Sequence, residues 1–318
     1  MMKKVLAIDI GGTNIKSGLV DRDGNISHQI HLPSRAAEGR EALLSVLKEV
    51  VEAQSEKEKI HCIGCGSPGT VNHKTGMVTY MQAHIPDWTG IPLAKLLSEY
   101  ANGVPAIIDN DVNLIALGEN WKGAGKGFKC QISLALGTGL GGGIVIEGKL
   151  FRGAKDRASE FGHMIVCPGG EPCTCGNFGC VEVYTAPGAM TRRAAHYKKN
   201  GIPSALSDCE EINAGKIVEN ALKGDLLCRK IFGDAVKYLS LLIWNLAEAF
   251  DPDVFVLGGG LIKAGDSFLR PLNDELEKYY CAPELKPMYN IKKSELEDDA
   301  GILGAAKLAW DEVERLNL

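Results

Sequence analysis

A histidine and three cysteines stand close together near the middle of the sequence. Imidazole nitrogen and thiolate sulfur are ligands that Zn²⁺ prefers, and four of them close a tetrahedral site that leaves no position for water. Two glycines inside the run permit the tight loop that brings three thiolates together. The pattern therefore predicts a structural zinc site rather than unliganded thiols. The candidate ligands are His163, Cys173, Cys175 and Cys180, and the two glycines are Gly176 and Gly179.

Two glutamates flank this cluster, Glu160 before His163 and Glu182 after Cys180. An isolated glutamate is ordinarily a solvated surface charge. Side chains attached to a rigid metal loop, however, are pre-organised for hydrogen bonding. We therefore expect the zinc loop to hold both glutamates in place for the hydroxyl groups of a polyol.

Two glycine turns, each with a threonine, connect short apolar stretches. The first turn is Gly11-Gly12-Thr13 and the second is Gly137-Thr138-Gly139. Backbone N–H groups in such turns, together with the threonine hydroxyl, can bind phosphate oxygens. Asp9, just before the first turn, is a hard oxygen ligand suited to hydrated Mg²⁺. The same residues also suit ordinary hairpin turns, but the presence of two such turns in one chain indicates a clamp for a triphosphate.

Other nucleotide-binding patterns fit the sequence poorly. Residues 137–142 and 64–69 both match the G-x-G-x-x-G spacing, but the first run leads into the apolar stretch Ile144-Val145-Ile146 instead of a helix. The second run contains Pro68 and continues as extended chain. No G-x-x-x-x-G-K-[ST] run occurs. A dinucleotide-dependent dehydrogenase and a P-loop nucleotidase are therefore disfavoured.

Asp109-Asn110-Asp111 ends another apolar stretch, where the strands of α/β sheets commonly present ligand-binding side chains. In phosphoryl transfer the transition state is loose, so the attacking hydroxyl loses its proton late and an aligned carboxylate suffices as base. We therefore predict that Asp111 is the general base. The alternative is that it caps a helix beginning at Val112, a role that asparagine and aspartate both serve well.

Strand and helix patterns alternate around these motifs, which predicts an α/β fold. The two glycine turns connect similar strand pairs, and this repetition indicates a duplicated architecture. A third glycine run, with Gly259 at its centre, follows a strand and suits either an adenosine or a strand-to-helix turn. The predicted strands are 5–10, 15–20, 59–64, 105–109, 130–136, 144–146 and 253–257, and the predicted helices are 39–54, 92–100, 186–199, 214–223, 225–250 and 301–316.

Composition sets limits on the partners and the location. The chain has 318 residues, which favours two domains, and a formal net charge of -5, which leaves no basic excess for nucleic acid. Apolar runs are short, and Asp9 interrupts the first of them, so neither a membrane span nor an export signal is expected. A cytoplasmic protein keeps its thiols reduced, and the scattered cysteines are predicted to be small buried apolar residues. They are Cys62, Cys65, Cys130, Cys167, Cys209, Cys228 and Cys281.

Together these motifs resemble the ROK family of sugar kinases and related repressors, within the fold group that includes hexokinase, actin and Hsp70. The resemblance runs from about Lys3 to Trp310, and its most specific part is Glu160-x-x-His163 followed by the cysteine loop and Glu182. It implies a two-lobed, duplicated actin-like ATPase fold, related to ribonuclease H, with a cleft between the lobes. The duplicated hairpin pattern places the domain boundary near residues 112–123, which gives one domain of residues 1–115, with a helix at about 301–318 packed back on it, and one of residues 116–300, which carries the zinc loop.

The resemblance also implies an activity and its ligands. A member of this family would move a phosphoryl group from ATP to a sugar hydroxyl, with Mg²⁺ as cofactor and a structural Zn²⁺, as a homodimer or homotetramer. The implied sugar-binding residues are Gly66, Ser67, Pro68, Gly69, Asn110, Asp111, Glu160, His163 and Glu182. The implied nucleotide-binding residues are Asp9, Gly11, Gly12, Thr13, Asn14, Lys16, Gly137, Thr138, Gly139 and Gly259.

Among ROK proteins the chain looks most like the glucokinases, through its Gly-Ser-Pro-Gly loop and its Glu-x-Gly-His run, so glucose is the expected sugar. His84, Asp87-Trp88 and residues 183–187 depart from that pattern. N-acetylmannosamine, fructose, allose and a β-glucoside therefore stay open as substrates, and polyphosphate stays open as donor. A ROK-type repressor carries a helix-turn-helix domain ahead of the kinase-like part, for which no room is expected before Asp9. A non-catalytic sugar sensor is the remaining alternative.

Overall fold

A computed structural model of the chain describes residues 3–81, 85–279 and 289–318. His84 and Cys281, both named above, lie outside them. Contacts within the chain divide it into two compact units. The first consists of Met1–Gln131, Gly143–Ala158 and Ser294–Leu318, and the second of Ile132–Gly142 and Ser159–Lys293.

Strands and helices alternate along the described residues, so the fold class is α/β, as the sequence predicts. The strands are β1 (Lys4–Ile10), β2 (Asn14–Val20), β3 (Ile26–Pro33), β4 (Ile60–Ser67), β5 (Thr70–Asn72), β6 (Met77–Tyr80), β7 (Ala106–Asn110), β8 (Cys130–Leu136), β9 (Leu140–Ile146), β10 (Lys149–Leu150), β11 (Val254–Gly259) and β12 (Asn290–Lys293). The helices are α1 (Arg40–Ser55), α2 (Leu93–Tyr100), α3 (Asp111–Lys122), α4 (Glu182–Thr185), α5 (Pro187–Lys199), α6 (Ala214–Leu222), α7 (Leu226–Phe250), α8 (Asp266–Leu276) and α9 (Ala300–Leu316). Each predicted helix is present, with ends within one residue of the prediction.

The first unit contains a five-stranded sheet in the order β3-β2-β1-β4-β7. Its strands β1, β2 and β3 are antiparallel neighbours, whereas β1, β4 and β7 run parallel. Parallel strands end at the same edge of a sheet, and that edge is where α/β folds hold ligands. The register places Asp9 beside Gly66, and Gly66 beside Asp109. The strand ends that carry the predicted acidic residues are therefore neighbours in one sheet.

Alternate side chains of β1 enter two separate cores, because successive residues of a strand point to opposite faces. Leu6 and Ile8 belong to the core that includes Leu47 of α1. Val5 and Ala7 belong to the core that includes residues of α3 and α9. All of these strand residues are fully buried. Helices therefore cover both faces of the sheet, and this specifies its register, since a slip of one residue would exchange the two faces.

The backbones of α3 and α9 approach each other closely. A Cβ atom on Gly304 would come within 1.7 Å of the Leu114 carbonyl oxygen, and one on Gly118 within 2.2 Å of the Ala300 carbonyl oxygen. Only glycine allows such an approach. The predicted domain boundary, between residues 115 and 116, falls within α3, and the first unit takes in the whole of α3 together with α9.

Gly304→Ala should lower the free energy of unfolding by about 3 kcal/mol or more, because backbone atoms rather than a movable side chain block the added methyl group. Gly233→Ala is the matched control, since Gly233 also lies inside a helix, α7, and a Cβ there would meet no atom within 4 Å. We expect that change to be neutral or stabilising by up to about 1 kcal/mol. Denaturant unfolding measures both variants, and equal stabilities would contradict the close contact of the two helices.

A second five-stranded sheet has the order β10-β9-β8-β11-β12. The predicted hairpin of β8 and β9 is present, with the glycine turn between the strands. β11 ends at Gly259, whose φ of +97° is left-handed, and a Cβ on it would come within 2.1 Å of the Leu136 carbonyl oxygen. In the part of the chain that the structure describes, no helix is both long enough and apolar enough to cross a membrane.

The scattered cysteines follow the prediction of burial only in part. Cys62, Cys65 and Cys228 are buried, and burial raises the pKa of the Cys62 thiol to about 12, so it stays neutral. The other three within the described residues are of intermediate exposure, which corrects the prediction. Their positions explain the difference, because one begins a strand and the other two lie in loops, where composition says little about burial. These three are Cys130, Cys167 and Cys209.

Candidate functional site

The junction of β7 and α3 is built around Asn110. Its side chain caps α3 by accepting hydrogen bonds from the N–H groups of Val112 at 2.9 Å and Asn113 at 3.1 Å. Its amide nitrogen donates to the Gly69 carbonyl oxygen at 3.1 Å. Asp111 is the first residue of the helix and not its N-cap, although its carboxylate also accepts from the Val112 N–H at 3.0 Å. The capping role considered for Asp111 therefore belongs to its neighbour.

A buried ion pair, which sequence reasoning missed, supports this junction. Asp109 is 2% exposed, and its Oδ2 accepts a hydrogen bond from Arg152 Nε at 2.6 Å. Its Oδ1 accepts from the Asn110 N–H at 2.8 Å and from Asn113 Nδ2 at 2.9 Å. A buried carboxylate that has all these donors in place makes the local geometry rigid. Asp109 lies two residues before the predicted base and could have been singled out for that reason, whereas nothing in the sequence connects it to Arg152.

Asp9 and Asp111 lie close together at the same edge of the sheet. A Cβ on Gly66 would come within 3.4 Å of both Asp111 Cα and Asp9 Oδ1. Loss of hydration and the negative charge of Asp111 raise the pKa of Asp9 to about 7, against a lowering by Lys16. In the first turn of α9, a Cβ on Gly301 would come within 2.4 Å of Asp9 Oδ2, so the Asp9 carboxylate packs directly against the backbone of this turn. The predicted residues brought together in the first unit are Asp9, Gly66, Gly69, Asn110 and Asp111.

The raised pKa of Asp9 predicts a pH-dependent stability that Asp9→Asn should remove. The folded protein binds this proton more tightly than the unfolded chain, in which the carboxyl has its ordinary pKa of 3.8. The stabilisation is therefore complete below about pH 4 and is lost as the pH rises through about 7. Relative to Asp9→Asn, the wild type should lose about 2 kcal/mol of unfolding free energy between about pH 5 and pH 7. Urea unfolding without divalent cations measures this, and a constant difference would contradict the shifted pKa.

The first glycine turn is exposed, as binding to phosphate requires. The Gly11 N–H donates to the Asn14 carbonyl oxygen at 2.9 Å and closes the turn. Gly12 and Thr13 are exposed, and a Cβ on Gly12 would meet no atom within 4 Å. Lys16 forms an ion pair with Asp298 at 3.2 Å. The backbone of this turn is therefore accessible, while the Lys16 ammonium group is engaged within its own unit.

The predicted sugar loop offers mainly backbone groups. Ser67 is fully buried, and its hydroxyl accepts a hydrogen bond from Trp88 Nε1 at 3.0 Å and donates to the Pro68 carbonyl oxygen at 3.0 Å. Its side chain is thus used within the fold. Gly69 has a φ of +92°, and a Cβ there would come within 2.5 Å of the Tyr80 carbonyl oxygen. The sequence did not link Ser67 to Trp88, which is fully buried as well.

In the second unit, a predicted sugar ligand holds the glycine turn. The Gly137 N–H donates to the Gly139 carbonyl oxygen at 2.9 Å, and Thr138 is exposed. The Leu140 N–H donates to Glu182 Oε2 at 2.9 Å. Glu182 is the first residue of α4, which follows the cysteine loop directly. The predicted phosphate turn and a predicted sugar ligand are therefore in direct contact.

The four predicted zinc ligands lie together. Their ligand atoms, one from each residue, are all within 4.8 Å of one another. Cys173 Sγ is 3.6 Å from His163 Nδ1, and Cys175 Sγ is 3.6 Å from Cys180 Sγ. A tetrahedral zinc ion with Zn–S bonds of about 2.3 Å would set neighbouring sulfurs about 3.8 Å apart. The spacing of the cluster fits such an ion.

The chemistry of the cluster also favours a cation. Burial, followed by the hydrogen bonds with Cys175 and Cys173, raises the pKa of Cys180 to about 12, whereas burial at Cys175 is outweighed by hydrogen bonds, which lower the pKa of that thiol. Adjacent thiolates repel one another, so they need a positive charge between them. Metal binding supplies that charge, because coordinated cysteines lose their protons. The cluster could therefore hold a metal ion such as Zn²⁺.

Two other predicted positions in this unit are exposed, Glu160 and Gly259. The Glu160 carbonyl oxygen accepts a hydrogen bond from the His163 N–H at 3.1 Å, across the short 3-10 turn Phe161–His163. Glu160 is therefore joined to the metal cluster through the backbone. Contacts of Glu160 and Gly259 with ligands stay predictions.

Known proteins resemble this chain over nearly its whole length. The ROK family model matches residues 5–312. A glucokinase from Thermotoga maritima is 32% identical over 314 residues, which cover 98% of this chain and 98% of that protein. A ROK hexokinase from Thermus thermophilus, known from its crystal structure, has a TM-score of 0.85 and 29% identity, over 98% of this chain and 99% of that one. A ROK family glucokinase from Streptomyces griseus, in complex with glucose and AMPPNP, has a TM-score of 0.80 and 32% identity, over 97% and 99%. The chain has the actin-like ATPase fold of these sugar kinases.

Proposed function

This chain belongs to the ROK family, and we propose that it is a kinase that transfers a phosphoryl group from ATP to a hexose, with glucose as the substrate. The observation that carries the proposal is the position of Asp111 at the first residue of α3. Asn110 serves as the cap, and the buried pair of Asp109 and Arg152 supports the junction. Asp111 is thus not needed as the N-cap, and a second carboxylate, Asp9, lies beside it.

In the proposed reaction, Asp111 is the general base. The sugar hydroxyl gives its proton to the Asp111 carboxylate while its oxygen forms a bond to the γ-phosphorus of ATP. The bond from that phosphorus to the bridging oxygen breaks, and ADP leaves. Asn110 and the backbone of the 66–69 loop bind the sugar, with the Asn110–Gly69 hydrogen bond at 3.1 Å holding the loop. Because the junction of β7 and α3 is fixed, less conformational freedom must be lost when the sugar hydroxyl is aligned with Asp111.

The two glycine turns bind the phosphates of ATP through their N–H groups. Asp9 would hold Mg²⁺ in this proposal, because carboxylate oxygens are ligands that Mg²⁺ prefers. A neighbouring cation would also lower the pKa of Asp9 from about 7 and so favour its charged form. When bound, the metal ion offsets negative charge on the phosphate oxygens. Asn14, Lys16 and Gly259 complete the nucleotide-binding set in this proposal.

Zinc has a structural role in this proposal, because four protein ligands leave no open position for water or substrate. His163 and the three clustered cysteines hold the ion. The rigid loop then keeps Glu160 and Glu182 in position for the hydroxyl groups of the sugar. His163 contacts the sugar as well as the metal.

A coupled assay that records ADP release, run across a panel of sugars, tests the proposed function. The panel contains glucose, N-acetylmannosamine, fructose, allose and a β-glucoside, each with ATP, and mass spectrometry detects sugar phosphate formed from polyphosphate. We expect the highest kcat/KM with glucose and ATP. A higher kcat/KM with another sugar would support a kinase whose substrate is that sugar and not glucose. Sugar binding with neither donor consumed would show a non-catalytic sugar sensor.

The same proposal includes the assembly and the location. We propose a cytoplasmic homodimer or homotetramer, as the family resemblance implies. Light scattering on the purified protein measures its mass, and cell fractionation measures where it resides. A monomer at micromolar concentration would contradict the assembly without affecting the proposed chemistry.

A further inference from the structure

We propose that Glu182 positions the glycine turn Gly137–Gly139 in addition to binding sugar, so that one carboxylate joins the sugar site to the nucleotide site. The inference rests on the proposed function, and it assigns Glu182 a second role within it. All of the residues concerned lie in the second unit.

The two carboxylate oxygens of Glu182 have different surroundings. Oε2 accepts the hydrogen bond from the Leu140 N–H at 2.9 Å and would lie 2.3 Å from a Cβ on Gly139. Oε1 would lie 3.8 Å from that Cβ, and it accepts no hydrogen bond from the residues that the structure describes. Oε2 therefore holds the turn, and Oε1 is left for a hydroxyl group of the sugar.

The hydrogen bond to Oε2 determines where the turn lies. Leu140 follows Gly139 directly, and the turn is small because the Gly137 N–H bonds to the Gly139 carbonyl oxygen at 2.9 Å. Moving Leu140 would therefore move the N–H groups that bind phosphate. A bond to an ionised acceptor is also stronger than one between neutral groups. Gly162 packs against the same segment, since a Cβ on it would lie 2.2 Å from the Leu140 carbonyl oxygen.

The first turn of α5 also lies close to the glycine turn. A Cβ on Gly188, in the first turn of α5, would lie 3.2 Å from the Thr138 carbonyl oxygen. α4 and α5 are consecutive helices, and Ala186 connects them. The segment from Glu182 to Gly188, which begins two residues after the last cysteine of the metal cluster, thus lies against the turn and holds it through the hydrogen bond between Glu182 and Leu140. Disturbing this segment is expected to affect nucleotide binding as well as sugar binding.

The test measures two binary affinities by calorimetry, for AMPPNP without sugar and for glucose without nucleotide. Glu182→Ala should weaken both, with AMPPNP binding weakened about tenfold, the change that corresponds to one net hydrogen bond. Glu182→Gln should restore AMPPNP binding to within about threefold of wild type, because the glutamine oxygen can still accept from the Leu140 N–H. Glu160→Ala is the matched control, and it should weaken glucose binding alone.

Two results would overturn the inference. In the first, Glu182→Ala loses glucose affinity and keeps wild-type AMPPNP affinity, which makes Glu182 a sugar ligand only. In the second, Glu160→Ala weakens AMPPNP binding as much as Glu182→Ala does, which makes the effect unspecific. Amide hydrogen exchange gives an independent readout, since exchange at Leu140 should be faster in Glu182→Ala and unchanged in Glu160→Ala. A wild-type protein that binds neither AMPPNP nor sugar would instead refute the proposed function itself.

Discussion

Asp111→Asn should retain glucose binding within about threefold of wild type and lower kcat by roughly 10²- to 10⁴-fold, the range that a positioned general base contributes. Asparagine keeps the size and shape of the side chain but cannot accept the hydroxyl proton. Because the cap of α3 is made by Asn110, the helix should form normally in the variant. Coupled ADP release measures kcat, and calorimetry measures glucose binding.

The matched control for this variant is Asp266→Asn. Asp266 is also the first residue of a helix, α8, and it is exposed. Its replacement removes the same favourable interaction of a negative charge with a helix N-terminus. We expect kcat to stay near the wild-type value. If Asp111→Asn retained turnover within about tenfold of wild type, Asp111 would not be the base.

Cys175→Ser should reduce the zinc content from about one ion per chain to near zero and lower both stability and glucose affinity. A serine hydroxyl is a poor substitute for a thiolate, and the three remaining ligands lose their tetrahedral partner. Metal binding contributes directly to the folding free energy of such loops, so thermal unfolding should shift clearly downward. Glucose affinity should fall because Glu182 begins α4 immediately after the loop. Plasma mass spectrometry, thermal unfolding and calorimetry measure the three effects.

Cys209→Ser is the control for the loss of a thiol as such. Cys209 lies in the same unit at intermediate exposure, and its Sγ contacts only the Ala205 carbonyl oxygen at 3.8 Å among the hydrogen bonds described. This variant should keep its zinc and its glucose affinity. The metal site would be refuted if freshly purified protein, never exposed to a chelator, contained no zinc.

The features that could be predicted from the sequence are local in the chain. The apolar residues of the helices recur with helical periodicity, and the extent of that pattern indicates where each helix begins and ends. The two hairpins have glycine turns at the point where the chain reverses. The metal cluster could be predicted for the same reason, since four ligands within one loop need no knowledge of distant contacts. β3 and α8 were missed because the alternation in β3 is largely polar and Pro271 interrupts α8.

The features that were missed depend on contacts between distant residues. Arg152 reaches Asp109 across the first unit, and Trp88 donates a hydrogen bond to the Ser67 hydroxyl. The contact of Glu182 with Leu140 is of the same kind. A sequence pattern records residue types and spacing, but it contains no information on which side chains the fold brings to hydrogen-bonding distance.

The first unit is built from three separate segments of the chain, and this has a consequence for the synthesis of the protein. Val5, Ala7 and Leu114 belong to the core that α9 helps to form, yet Ser159–Lys293 must be translated before Ser294–Leu318 can join that unit. At about 5–20 residues per second, the apolar surface of α3 stays uncovered for roughly 10–40 seconds before α9 is synthesised, and that of β1 for longer. Exposed apolar surface of that kind binds chaperones and promotes aggregation, whereas the long segment of the second unit is continuous in the chain. We therefore expect nascent chains that lack α9 to depend on chaperones until α9 has emerged from the ribosome.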